Sequence, residues 1–131
     1  MAELDYALLA DYARVDADGT LTAVGAHRAV IAVGALPAQQ VLAAAGRLWM
    51  GRREPAAHLE LSARTPEGDV GTIAAWEVLP GLEQADLPGR VSACFALAVV
   101  APLSSTGPHV LVLSVNGEAA AELPFAVVVE V

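Results

Sequence analysis

The chain has 131 residues, enough for one domain with a sizeable core; 56% are apolar and only 17% charged. Fifteen acids stand against seven arginines, with no lysine at all, and the net charge is −8. Such a surface repels phosphates, which argues against nucleic acid or an anionic membrane as partner. The missing lysine excludes Schiff-base chemistry and a phosphate-loop lysine.

The opening Met1-Ala2-Glu3-Leu4-Asp5 is acidic where a signal peptide would be basic, and no apolar run approaches the ~20 residues of a membrane-spanning helix. A cytoplasmic protein is the expectation. Abundant alanine, glycine, valine and arginine without lysine suggests a GC-rich bacterial source. From Tyr6 to Val33 two largely apolar runs flank Asp16-Ala17-Asp18-Gly19. A three-residue loop closed by Gly19 predicts a β-hairpin that sets Val15 opposite Leu21, Ala13 opposite Ala23 and Tyr12 opposite Val24. A helical stripe through Leu4, Leu8, Leu9, Tyr12 and Val15 competes, but no helix stop precedes the turn.

Gly34 to Pro37 ends this hairpin. Val41 to Met50 reads as strand, although helix formers from Gln39 to Ala45 admit a short helical turn near Gln39. After the charged loop Gly51 to Pro55, His58, Glu60, Ser62 and Arg64 alternate with Leu59, Leu61 and Ala63, the pattern of a half-buried strand. Thr65 to Asp69 turns the chain into Val70 to Leu79, and Pro80 to Gly89 is an acidic connection. Val91, Phe95, Leu97 and Val99 then share a strand face. Cys94 lies within it, and as the single cysteine it rules out an internal disulfide and suits a reducing compartment. Ala101 to Pro108 reads as loop. Asn116-Gly117 then closes the last hairpin with the chain's strongest two-residue turn signal.

About eight strands built from successive hairpins predict an all-β fold: a two-sheet antiparallel β-sandwich forming a single domain over residues 1–131. The expected core is Leu21, Leu61, Trp76, Phe95, Leu97, Leu123, Phe125 and Val127. The stretch Asp5 to Val15 with Asp18-Gly19-Thr20-Leu21 and Gly25, and the closing Asn116-Gly117-Glu118 through Leu123-Pro124-Phe125 to Val131, resemble a family of small uncharacterised bacterial proteins. That resemblance covers nearly the whole chain, implies a small β-rich fold, and carries over no catalytic residues.

Candidate chemistry is sparse. Asp16 to Gly19 resembles the start of a calcium loop, but Leu21 and Ala23 occupy positions where oxygen ligands should follow. His27, His58 and His109 show no metal-ligand spacing, so neither metal nor cofactor is expected. Ser104-Ser105-Thr106-Gly107 lacks the strand–turn–helix setting of a nucleophile elbow. The hairpin register does place Asp11 opposite Gly25 and Leu9 opposite His27, making Asp11 and His27 diagonal neighbours within reach of a carboxylate–imidazole hydrogen bond. These two residues are the one weak catalytic candidate, against a purely structural polar pair. Trp49 and Trp76 suggest a weaker reading as a carbohydrate or small-ligand platform.

The last hairpin suggests self-association. With Val112 opposite Ala121 and Val110 opposite Leu123, the outward face carries Leu111, Leu113, Val115, Ala120 and Val128, an apolar patch that a monomer would seldom leave in water. The expected protein is therefore a non-catalytic, self-associating interaction module, most simply a homodimer through these five residues, with a further protein partner open. The alternative is an enzyme built around Asp11 and His27.

Overall fold

A computed structural model describes residues 2–80 and 89–130. Among them are ten strands and no helix: β1 (Glu3–Ala10), β2 (Tyr12–Val15), β3 (Leu21–Val24), β4 (Val30–Val33), β5 (Ala38–Met50), β6 (Ala57–Arg64), β7 (Val70–Val78), β8 (Val91–Leu103), β9 (Gly107–Val115) and β10 (Glu118–Val129). They form three sheets, ordered β1-β5-β8, β4-β10-β9-β6-β7 and β2-β3, in place of eight strands in two. No described helix is long and apolar enough to cross a membrane. The acidic connection after Pro80 falls largely on residues 81–88, outside the described residues.

The first hairpin has the expected register from Tyr12–Val24 to Val15–Leu21, with Gly19 at φ 84° closing the loop, but it does not extend from Tyr6 to Val33 as expected: β1 pairs with β5 and β4 with β10 instead. Two hydroxyls reinforce the turn: Thr20 donates to Asp18 at 2.6 Å and Thr22 to Asp16 at 2.5 Å. Asp16 and Asp18 are thus occupied as turn acceptors. Beyond the hairpin, Val41 to Met50 is strand as read, and strand β5 runs back through Gln39, where the alternative of a short helical turn does not form. Its thirteen residues pair without interruption with β8, which also runs on through Ala101 to Leu103 where a loop was expected.

One hydrophobic cluster joins the two larger sheets. Leu42, Ala44, Leu48 and Met50 of β5, with Phe95 and Val99 of β8, meet Leu59 and Leu61 of β6, Leu111 and Leu113 of β9, and Phe125 and Val127 of β10. Of the expected core, Leu61, Phe95, Leu123, Phe125 and Val127 are buried, while Leu21, Trp76 and Leu97 are half-buried. Ala43 and Ala45 point away from this cluster yet are also fully buried, and the β2–β3 hairpin, which lies against β5 and β8, supplies the cover. Alanines there let two strand layers approach closely.

The last hairpin departs from expectation in an instructive way. Asn116 and Gly117 take positive φ, 50° and 87°, and Val115 faces Glu118 as the tight turn requires. A β-bulge at Ala120 then inserts one residue, so Ala121 faces Leu113 and Leu123 faces Leu111. A shift of one residue exchanges the two faces of a strand. Leu111, Leu113 and Val115 consequently lie in the core, and of the five expected interface residues only Ala120 and Val128 are exposed. The outward face of β9 is instead Val110, Val112 and Ser114, beside Arg64 and Glu122, whose ion pair spans 3.1 Å.

Candidate functional site

Asp11 sits at the break between β1 and β2, where the chain leaves the three-stranded sheet. Its amide donates to the Val24 carbonyl at 2.9 Å, just beyond the last ladder pair Tyr12–Val24, and Gly25 lies against its side chain. Gly25 (φ 67°) and His27 (φ 63°) both take left-handed backbone, so the chain turns sharply and the Arg28 amide reaches the Leu9 carbonyl at 3.2 Å. The outcome is that Arg28, not His27, faces Asp11. Its guanidinium forks onto the carboxylate, Nε donating to Oδ1 at 2.9 Å and Nη2 to Oδ2. Both carboxylate oxygens are taken, and the expected carboxylate–imidazole bond is replaced by a bidentate ion pair.

Hydrogen bonding from Arg28 is the largest influence on Asp11 and holds its carboxyl below the ordinary carboxylate range. Arg28 forms a shared wall between two hollows of about 230 Å³ each. One is bounded by Asp11, Ile31, Gln40 and Leu42, and the other by Leu8, His27, Glu122 and Pro124. Asp11 and His27 thus line different hollows. The geometry suits a clamp: immediately after Arg28 the chain crosses to β4, which pairs in parallel with β10 in the other sheet. No group of three or more metal-ligating side chains occurs among the described residues.

The pair makes stability depend on pH with a definite sign. The folded carboxyl titrates below its unfolded value of about 3.9, so the unfolded chain binds the proton first as pH falls. The contribution is complete above that value and is lost as pH drops through the lower folded pKa. Asp16 and Asp18 act in the same sense, lowered chiefly by hydrogen bonds from Thr22 and Thr20 respectively. Asp11→Asn is expected to lower the melting temperature slightly at pH 7 and to flatten the loss of stability between pH 5 and pH 2, as thermal melts across that range would show. Gly25→Ala should act in the same direction and more strongly, since its Cβ would lie 2.3 Å from Asp11 Oδ2 on left-handed backbone.

A second cluster escaped the sequence because three strands contribute to it. On the outer face of the three-stranded sheet, the Arg47 guanidinium lies 4.7 Å from the Trp49 ring centroid and 5.8 Å from that of Tyr6. Arg90 approaches Trp49 from 5.2 Å. Arg47 Nε also donates to Asp5 at 2.8 Å, and Arg90 to Glu3 at 3.3 Å. Cys94 pairs with Arg47 across the strands, and partial burial raises its thiol pKa. Trp76, by contrast, tilts against the core residue Phe95 with centroids 6.2 Å apart. The two tryptophans therefore belong to different sheets and make no common platform. The remaining histidines have structural settings: His109 is buried, stacked on Phe125 and bonded to the Ser105 carbonyl at 3.0 Å, while His58 lies beside Glu60 on the surface.

Fold and sites define a small all-β protein in which Asp11 and Arg28 are committed to each other. The chain belongs to a family of unknown function (DUF6941), whose model matches residues 5–128. No curated protein matches it. Among solved structures it is similar to Pseudomonas fluorescens alkylpurine DNA glycosylase AlkC bound to DNA containing an abasic site analog, with a TM-score of 0.52 and 12% identity. That likeness covers 96% of this chain but 30% of the glycosylase, and at this identity it is a likeness of fold alone.

Proposed function

We propose that this domain is a non-catalytic protein-interaction module that self-associates as a twofold dimer, its two larger sheets forming the layers of a sandwich. The observation that supports it is a set of exposed apolar side chains on the hairpin and on the two strands it lies against. Tyr12 and Val24 are cross-strand partners on the hairpin, Val41 and Val100 are partners on β5 and β8, and each is more than half exposed. The hairpin lies against those same two strands. Grouped apolar surface of this kind marks a contact site more often than it occurs on a free monomer.

The enzyme reading loses its support with the Asp11 carboxylate held by Arg28, because the carboxylate–imidazole pair with His27 on which it was built does not form. The glycosylase is described in complex with DNA, but a chain of charge −8 offers little to a phosphate backbone, and nucleic acid is not part of this proposal. The lone thiol suits a reducing, cytoplasmic setting. Light scattering at high micromolar concentration tests the reading. The expected mass is twice the 13.4 kDa of one chain, and Val41→Glu with Val100→Glu should return it to one. A strict monomer overturns the proposal.

A further inference from the structure

We propose that the outer face of β4, β10 and β9 receives one amphipathic helix of a partner protein, apolar along its inner side and basic at both ends. This goes beyond the self-association reading and uses other residues. Val41 and Val100 lie in the three-stranded sheet, whereas this face belongs to the five-stranded one.

A sheet that packs one face on a core ordinarily turns polar side chains to water on the other. β6 follows that rule, with His58, Glu60, Ser62 and Arg64 outward. The strands beyond it, from β9 to β4, do not. Their register sets Val30 beside Ala126, Ala32 beside Val128, and Pro124 beside Val110. Val112 extends this apolar strip along β9 as far as Glu122. Val30 is 50% exposed and Val128 40%. Ala32 and Pro124 are exposed as well, and the other three are half-buried. Contiguous apolar surface of this kind marks a site of contact.

Both dimensions of the strip suit a single helix. Strands about 4.8 Å apart put β4 and β9 roughly 10 Å from each other, the diameter of an α-helix with its side chains. Along β10 the outward residues run Glu122, Pro124, Ala126, Val128 and Glu130. The Glu130 amide still bonds to the Val33 carbonyl at 2.9 Å, so the alternation holds to the end. At about 3.3 Å per residue the two glutamates stand roughly 26 Å apart, the length of a helix of about 17 residues. Charge then fixes the chemistry of the helix ends. Glu122 keeps 63% of its side chain exposed beside Arg64, and Glu130 makes no ion pair among the described residues. Lysine or arginine in the first and last turns of the helix would meet a carboxylate at each end of an apolar strip. A second copy is the poorer match: its described residues contain no helix, and it brings fifteen acids against seven arginines.

The probe is a fluorescently labelled peptide of about 18 residues, built of leucine, alanine and glutamine with leucines at helical i, i+3, i+4 spacing and lysines at both ends. On titration with the protein its anisotropy should rise, and the far-ultraviolet circular dichroism should gain helix beyond the sum of the two components. The same peptide ending in glutamates should not bind. Val112→Glu and Val128→Glu each put a charge on the strip and should weaken binding roughly tenfold or more. Glu130→Gln should weaken it by a few-fold and reduce its dependence on salt. Thr72→Glu adds the same charge on exposed β7 and should leave binding unchanged. Failure of the lysine peptide to bind overturns the proposal, as does binding that neither strip variant weakens. If the strip variants instead return a dimer to the mass of one chain, a second copy covers this face and the proposal falls. A strict monomer that binds the peptide overturns self-association and leaves the helix site standing.

Discussion

Leu113→Ala is expected to lower the free energy of unfolding by about 3–5 kcal/mol, and Leu113→Glu to leave no folded protein. Leu113 has 0% of its surface exposed, and it lies in the core cluster with Leu61, its partner on β6. Truncation removes buried methyl groups and leaves a cavity that the surrounding strands, held in their ladders, cannot easily collapse. Glutamate would place a carboxylate there with no cation among the cluster's residues. For a domain of this size the alanine variant should melt roughly 10 °C or more below the parent. Val112→Glu, one residue away on the outward face, is the control and should be tolerated. If both glutamate variants stayed folded, the inward assignment of Leu113 would be wrong.

The orientation of β9 is where reading the chain alone goes astray, and the cause is local. Both faces of β9 are apolar: Leu111, Leu113 and Val115 alternate with Val110 and Val112. Its own pattern therefore does not fix which face turns inward, and the tight turn at Asn116-Gly117 fixes register only up to the first irregularity. The bulge at Ala120 lies in the run Ala119-Ala120-Ala121, where no residue announces an insertion. The missing information sat in β6. His58, Glu60, Ser62 and Arg64 declare a polar face plainly, and Ser62 opposite Val112 with Leu61 opposite Leu113 transfers that choice to β9. That pairing is non-local, and hairpin reasoning does not reach it. The first hairpin was legible because its information is local: a glycine turn, two aspartates and a polar Arg14–Thr22 pair on one face. Asp11 shows the boundary between the two cases. Its nearness to Gly25 followed from the hairpin, but its partner depended on left-handed backbone at His27, a residue type that gives no such signal, and the turn delivered Arg28 instead.

Gly46→Ala should destabilise the fold far more than a methyl group in a strand ordinarily does. Gly46 lies mid-β5 opposite Ala7, with β1 on one side and β8 on the other. β1 carries its bulge just before this point, at Asp5, and the bend brings its backbone down over Gly46. A Cβ there would lie 2.1 Å from the Tyr6 carbonyl oxygen, 2.9 Å from the Ala7 Cα and 2.9 Å from Phe95 Cζ. Two of these three are backbone atoms held in a ladder, so relief requires moving β1 and not merely turning a side chain. Overpacking a core typically costs about 1–3 kcal/mol when side chains can adjust, and here the cost should reach or exceed the top of that range. The bulge also sets the parity of β1: Leu4 faces the core before it and Ala7 and Leu9 after it, with Tyr6 turned outward onto Arg47. If β1 moves, the Asp5–Arg47 ion pair and the Arg47 contact with Tyr6 should go with it. Tyrosine and tryptophan fluorescence would report the change in that cluster, while a urea titration gives the loss in stability. Unchanged values for both would mean that β1 does not bend over Gly46. Gly34→Ala, where an added Cβ meets nothing within 4 Å, provides the comparison and should change stability little.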